Sequence, residues 1–127
     1  MAPYTRLNYD GRILVSKTNT SNGEVDSSTR FEYHQSNDGS IVWAEYKGGS
    51  ILKGFLVATV QSDGSLDARY EHVNLEHALM TGRCISTPEQ LSDGRLRLHE
   101  RWQWTSGDLT AGSSVVEELP ITSGSYK

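Results

Sequence analysis

Apolar and polar residues alternate along most of this chain with a period of two, the pattern of strands that bury one face. The alternation falls in short runs rich in Val, Ile, Thr, Tyr, Phe and Trp, residues that favour strands. These runs cover residues 12–18, 28–35, 40–47, 51–61, 66–74, 79–86, 95–104 and 113–119. The pattern therefore predicts about eight to ten strands.

Dipeptides that favour the left-handed conformations of tight turns separate the runs. They are Asp10-Gly11, Asn22-Gly23, Asp38-Gly39, Asp63-Gly64 and Asp93-Gly94, with Gly48-Gly49 as a further candidate. Because most connections are short, neighbouring strands should pair antiparallel in an up-and-down meander. Closure removes exposed strand edges and leaves room for one small ligand. We therefore predict an all-β fold, a single antiparallel barrel.

Little helix is expected, because only residues 74–80 and 87–94 could each form one helical turn. A chain of 127 residues has the usual size of one domain. We expect that domain to span residues 1–127, with its core at about 8–119 and a loose Ser/Gly-rich tail at 120–127.

Charge and hydropathy exclude several kinds of partner. The net charge is −4 and no cluster of Lys or Arg occurs, which argues against nucleic acid. No apolar run approaches the roughly 18 residues of a membrane-spanning helix, so no membrane partner is predicted. The N-terminus lacks the apolar stretch of a secretory signal, and Cys84 is the single cysteine, so we expect a cytoplasmic protein.

The alternation also predicts which side chains share the barrel interior. The apolar faces of the predicted strands each carry a polar group, and an inward orientation would bring these groups together. The lumen would then hold Tyr33, Glu45, Tyr70, His72 and Glu100, with walls formed by Phe31, Trp43, Trp102 and Trp104. The run 79–86 is open to two interpretations, and Arg83 joins the lumen only if the face with Leu79, Thr81 and Ile85 points inward.

Glu100 is the most unusual candidate, because the stretch "RLHERWQWTSGD" places it on the same face as Leu98, Trp102 and Trp104. An unpaired carboxylate costs several kcal/mol to bury. We therefore expect Glu100 to bond to Arg83, His72 or a tyrosine, or to stay protonated with a raised pKa.

Sequence motifs for other chemistries are absent. No HExxH, CxxC, EF-hand loop, P-loop or Gly-x-Ser-x-Gly elbow occurs, so neither a metal nor a cofactor is predicted.

Four segments carry a resemblance to a known family: "NGEVDSSTRFEYHQ", "IVWAEYKGGSILKGFLVATV", "LDARYEHVNLEHALMTGRCISTPEQLSDGRLRLHERWQWTSGD" and "GSSVVEEL". From about residue 8 to 119 the chain resembles small bacterial proteins catalogued as "N-acetylglutamate synthase". The resemblance implies a compact antiparallel barrel of the calycin or lipocalin type. The residues argue against acetyl transfer, since the fragment nearest to a pyrophosphate loop, 61–66, ends in Leu66 and leads into a strand.

Two functions of different classes follow. The first is a barrel that binds a small, partly apolar molecule, with tryptophan walls and with Glu100, Glu45, Tyr70, His72 and optionally Arg83 setting its orientation. The second is a cofactor-independent isomerase, cyclase or hydrolase, in which Glu100 exchanges protons with His72 or Tyr70 as its partner. A third, weaker interpretation is a structural protein whose aromatic residues fill the lumen completely. The sequence does not indicate an oligomeric state.

Overall fold

Eight strands form a closed antiparallel barrel in the computed structural model, which describes residues 7–120. The strands are β1 (Ile13–Asn19), β2 (Arg30–Gln35), β3 (Ile41–Gly48), β4 (Ile51–Val60), β5 (Leu66–Asn74), β6 (Leu79–Gln90), β7 (Leu96–Trp104) and β8 (Ala111–Glu118). Each pairs with the next along the chain, and β8 pairs with β1 to close the barrel. The predicted all-β fold is confirmed.

Tight turns join most of the strands, as the Asp-Gly dipeptides predict. Gly39, Gly64 and Gly94 have positive φ angles, which glycine adopts without steric cost. At Asn22-Gly23 the chain does turn, and the amide of Gly23 donates a 2.9 Å hydrogen bond to the carbonyl of Thr20. The turn is not a hairpin, because β1 and β2 are joined by the longer loop 20–29, in which Gly23 has no positive φ.

Neither predicted helical turn forms. Residues 75–78 make the short connection between β5 and β6, and residues 87–90 continue β6. Along the chain from 7 to 120 there is no helix, and hence none long and apolar enough to cross a membrane. The expected loose tail lies, from residue 121 onward, outside the described residues.

One end of the barrel, which we call the closed end, is filled by the segment that precedes β1. Tyr9 is completely buried there, and its hydroxyl donates a 2.8 Å hydrogen bond to the carbonyl of Gly64. Arg12 forms a 2.6 Å ion pair with Glu118 at the same end. These contacts seal the barrel opposite the loop 20–29.

The loop 20–29, which we call the mouth loop, crosses the other end of the barrel. The indole Nε1 of Trp104 donates a 3.0 Å hydrogen bond to the carbonyl of Asn22. The side chain of Asn22 in turn donates to Thr110 Oγ1 and to the carbonyl of Ala111, at 3.0 and 2.9 Å. The mouth loop is therefore fastened to β7 and to the start of β8.

Candidate functional site

A cavity of about 60 Å³ lies in the lumen beneath the mouth loop, enough for several water molecules. All eight strands and the mouth loop contribute to its lining. The residues are Asn19, Gly23, Glu24, Val25, Phe31, Tyr46, Leu56, Ala68, Tyr70, His72, Cys84, Ser86, Glu100, Trp102, Trp104 and Ser114. The interpretation of a completely filled core does not agree with this cavity.

Four polar residues form a row across adjacent strands, which we call the polar row: Ser86, Glu100, Ser114 and Asn19. The sheet register places Ser86 opposite Glu100, Glu100 opposite Ser114, and Ser114 opposite Asn19. Directly opposed residues point to the same face of a sheet, so all four side chains face the lumen. Apolar and aromatic residues surround the row on neighbouring positions of the same strands.

Glu100 is held in the polar row by two neutral hydroxyl groups. Ser86 donates to its Oε2 at 3.1 Å, and Ser114 donates to its Oε1 at 3.0 Å. Burial raises the pKa of Glu100, and the two serine hydrogen bonds oppose that rise. The accessible surface that Glu100 retains faces the cavity, because the residue is part of its lining. The carboxyl group is thus desolvated but open to a molecule in the lumen.

His72 forms a second polar group at the mouth. Its Nδ1 lies 2.9 Å from the hydroxyl of Tyr46, and its Nε2 lies 2.8 Å from Oε1 of Glu24 in the mouth loop. Asn74 donates to the other oxygen of Glu24 at 3.0 Å. Burial lowers the pKa of His72, an effect that the hydrogen bond with Glu24 opposes.

These contacts determine the tautomer of His72. Burial raises the pKa of Tyr46, so its hydroxyl keeps its proton and donates to Nδ1. Nε2 of the neutral ring therefore carries the hydrogen and donates to Glu24. All polar atoms of the ring are satisfied, which makes His72 a link between the barrel wall and the mouth loop.

Aromatic rings form the rest of the wall. Trp102 and Trp104 meet edge to face with centroids 5.5 Å apart, and Tyr70 meets Trp104 in the same way at 5.8 Å. Glycine makes room for these rings, because a Cβ at Gly82 would overlap the ring of Tyr70. The position opposite Tyr70 in the sheet must therefore lack a side chain.

Six of the residues predicted for the lumen and its walls line the cavity: Phe31, Tyr70, His72, Glu100, Trp102 and Trp104. Tyr33 also points inward, but it is buried in the core and does not belong to the lining. Its hydroxyl is buried without a hydrogen-bond partner within residues 7–120.

Trp43 and Glu45 lie on the outer surface, so their expected inward orientation is wrong. Trp43 is 40% exposed and stacks on His34, whereas Glu45 forms a 2.9 Å ion pair with Lys53. The reason is the register of β2 and β3, which places Ala44 opposite Tyr33 and Tyr46 opposite Phe31. Since Phe31 and Tyr33 face inward, the alternate residues of β3 must face outward.

Arg83 also lies outside the lumen, which corrects the interpretation of β6 that placed it inside. Its guanidinium group donates a 3.1 Å hydrogen bond to Gln103 on the outer face. Gly82 and Cys84 face inward instead, opposite Tyr70 and Trp102. The expected bond of Glu100 to Arg83, His72 or a tyrosine is therefore replaced by its bonds to two serines.

Sequence reasoning missed Glu24, Tyr46 and the serines of the polar row. Glu24 lies in a loop, where no periodicity indicates its orientation. Ser86 and Ser114 are unremarkable in sequence, and only the strand register connects them to Glu100.

Covalent and metal chemistry have little support in this lining. Burial raises the pKa of Cys84 well above its ordinary value, so the thiol stays protonated and weakly nucleophilic. Within residues 7–120, no group of His, Cys, Asp and Glu is arranged to hold a metal ion.

The chain is similar to a known protein family. A family model described as avidin-like protein matches residues 7–119, which is nearly the whole chain. No curated protein and no solved structure matches. The match fits the calycin-like barrel that the sequence resemblance implied, but it does not test the N-acetylglutamate synthase label.

Proposed function

Because the chain belongs to the avidin-like protein family, we propose that its barrel binds a small, partly apolar molecule in the lumen cavity. The observation that carries this proposal is a desolvated carboxyl group, Glu100, that faces a cavity with aromatic walls. Binding sites for small molecules are typically concave and apolar with a few well-placed polar groups.

Each part of the lining has a distinct role in this proposal. The rings of Phe31, Tyr70, Trp102 and Trp104 supply apolar contact area. Glu100 orients the polar end of the ligand, and the serine hydrogen bonds fix its carboxyl group in one position. Glu24 in the mouth loop covers the bound molecule and limits its exchange with solvent.

The enzyme alternative rests on the raised pKa of Glu100, a property that suits a general acid or base. It requires a second group that exchanges protons beside Glu100. His72 is already bonded to Tyr46 and Glu24, and Glu100 is bonded to two serines. Binding without turnover therefore needs fewer assumptions, and we favour it.

Tryptophan fluorescence tests the proposal, because two of the three tryptophans line the cavity and the third lies outside. A Trp43→Phe background removes the signal that does not come from the lumen. Screening a library of small neutral, anionic and cationic aromatic compounds should find saturable changes in emission. Trp102→Leu should weaken the binding of a hit by about tenfold or more, since a buried ring contact is lost.

Two results would contradict the proposal. One is the absence of any saturable response across the library, and the other is a Trp102→Leu protein that folds normally and binds as tightly as the parent. Turnover of a bound compound, detected by mass spectrometry of the incubation mixture, would favour the enzyme alternative.

A further inference from the structure

The charged groups around the cavity restrict the chemical class of its ligand more narrowly than the fold does. Within residues 7–120, its lining contains two carboxyl side chains, Glu24 and Glu100, and neither lysine nor arginine. The one histidine, His72, has a lowered pKa and is neutral in its bonded state. An anionic molecule would therefore enter a space that offers it no compensating positive charge.

Hydrogen-bond acceptors in the polar row also outnumber the donors that reach them. Among residues 7–120, Asn19 Oδ1 has no hydrogen-bond partner, although it is buried and Asn19 lines the cavity. Its orientation is fixed, because the amide nitrogen donates a 2.9 Å hydrogen bond to the carbonyl of Val25. Glu100 accepts one serine hydroxyl at each oxygen, which leaves further lone pairs unused. The row can therefore accept N–H or O–H groups from a bound molecule.

The walls favour the same kind of ligand. Aromatic rings attract cations to their faces, and the lining brings together rings from four strands. Phe31 stacks on Tyr46 with centroids 4.7 Å apart, and Trp102 and Trp104 form the adjacent part of the wall. A compact cation in this space would gain both ring contacts and an ion pair with Glu100.

We propose that the lumen cavity binds a compact organic cation, a protonated amine or amidinium group on a small apolar body, with its N–H groups directed at Glu100 and Asn19. This inference rests on the proposed function, because it assigns the chemistry of the ligand in the same cavity. The cation supplies the countercharge that the barrel itself does not provide to Glu100. It also supplies the donor that Asn19 lacks.

Three nearly isosteric probes test this assignment: benzamidine, which is cationic, benzamide, which is neutral, and benzoate, which is anionic. Calorimetry and fluorescence in the Trp43→Phe background should give an affinity for benzamidine about tenfold or more above that for benzamide. Benzoate should bind more weakly than either. Glu100→Gln should remove the preference for benzamidine over benzamide, because the ion pair is lost and the shape is kept.

Glu45→Gln is the matched control, because it removes one strand carboxylate from the outer surface. It should leave the affinity for benzamidine unchanged. Benzamide or benzoate binding as tightly as benzamidine would overturn the assignment, and so would equal effects of Glu100→Gln and Glu45→Gln. If other compounds of the library bind while benzamidine does not, the assignment fails and the proposed function stands. If nothing binds, both fail.

The pH dependence of benzamidine binding provides a second measurement that does not depend on the Gln variant. A proton competes with the cation for Glu100, so the affinity should fall as the pH decreases through the pKa of this residue. Ser114→Ala removes a hydrogen bond that lowers that pKa and should shift the midpoint to higher pH. An unshifted midpoint in Ser114→Ala would overturn the assignment.

The other titratable groups around the cavity are four groups that stay neutral and one pair at the mouth. Burial raises the pKa of four neighbours of Glu100, which stay neutral over the working range: Tyr33, Tyr46, Tyr70 and Cys84. Glu24 and His72 form the remaining pair, at the mouth. Glu100→Gln gives the pH dependence of binding without this carboxyl group, and its comparison with the parent isolates the contribution of Glu100.

Discussion

Glu100 shows how a barrel can keep an acid in its interior when the described part of the chain gives it hydroxyl partners and no cation. Ionised carboxyl groups in proteins are usually paired with arginine or lysine when they are buried. Here two serine hydroxyls provide partial compensation, and the charged form remains disfavoured, as the raised pKa indicates. A bound cation changes the environment of such a buried carboxyl group more than that of a carboxyl group at the surface. Glu100 is therefore well suited to respond to a ligand.

Titration of Glu100 should make the stability of the protein depend on pH. Its pKa is raised in the folded state, so the native protein binds this proton more tightly than the unfolded chain does. The contribution of Glu100 to the free energy of unfolding is therefore largest at low pH. It declines as the pH rises from the ordinary glutamate pKa of about 4.3 through the native value, by about 1.4 kcal/mol for each pH unit that separates the two pKa values.

Glu100→Gln does not titrate and should gain stability relative to the parent as the pH increases across that interval. Urea denaturation of both proteins at several pH values measures the difference. Glu45→Gln should show the opposite trend, since the hydrogen bond from Lys53 lowers the pKa of Glu45 and stabilises its charged form. A difference between Glu100→Gln and the parent that is independent of pH would contradict the raised pKa.

At the scale of the strands, the alternation of apolar and polar residues predicts the fold. It does not predict for every strand which face points inward. The eight runs and their turns predict the barrel correctly, because strand propensity and turn chemistry are local properties. In β3 both faces are apolar, with Trp43 on one and Tyr46 on the other. Only pairing with Phe31 and Tyr33 determines which face is inside, and that register is not a local property.

The candidate site could likewise be predicted only in part from the sequence. In β7 the inward face is distinct in the sequence, so the inward placement of Glu100, Trp102 and Trp104 could be predicted. The partners of Glu100 come from β6 and β8, and they depend on register across three strands. Glu24 comes from a loop whose path over the mouth is set by long-range hydrogen bonds, such as the one from Trp104 to Asn22.

The mouth loop should control access to the cavity through Glu24. Glu24→Ala removes the acceptor of hydrogen bonds from His72 and Asn74, which hold the loop against β5. We expect the free energy of unfolding to fall by about 1–3 kcal/mol, and the rate of ligand dissociation to rise by about tenfold. Stopped-flow fluorescence with a ligand from the screen measures the rate, and urea denaturation measures the stability.

Glu76→Ala is the control for that variant, because Glu76 is an exposed acid in the neighbouring β5–β6 connection. It should change the free energy of unfolding by no more than about 0.5 kcal/mol and leave the dissociation rate unaltered. If Glu24→Ala releases ligand at the rate of the parent, the mouth loop does not limit exchange and the route into the lumen lies elsewhere.

At the scale of the whole molecule, the two ends of the barrel are built for different purposes. The mouth contains the cavity, with aromatic walls and a few polar groups, whereas the closed end is filled by Tyr9 and reinforced by ion pairs of Glu117 and Glu118 with arginines. Arg12 connects the segment before β1 to Glu118 near the end of β8, so the seam that closes the barrel is reinforced at that end.

Variants of Tyr9 test this division. Tyr9→Phe leaves the buried carbonyl of Gly64 without its donor and should lower the free energy of unfolding by about 1–3 kcal/mol. Tyr9→Ala also removes the ring, which contacts Tyr33 at a centroid distance of 6.2 Å, and should lower it by about 3–5 kcal/mol. Both values come from urea denaturation, at a pH where the parent is well folded.

Ligand binding should respond differently from stability, because Tyr9 is not part of the cavity lining. The affinity of Tyr9→Phe for a ligand of the screen should equal that of the parent, measured by fluorescence under conditions in which both proteins are folded. The ring of Tyr33 lies between Tyr9 and Phe31, which does line the cavity, so packing offers one route by which the ends could communicate. A loss of affinity in folded Tyr9→Phe would mean that this aromatic series couples the two ends, and the closed end would then be part of the binding machinery.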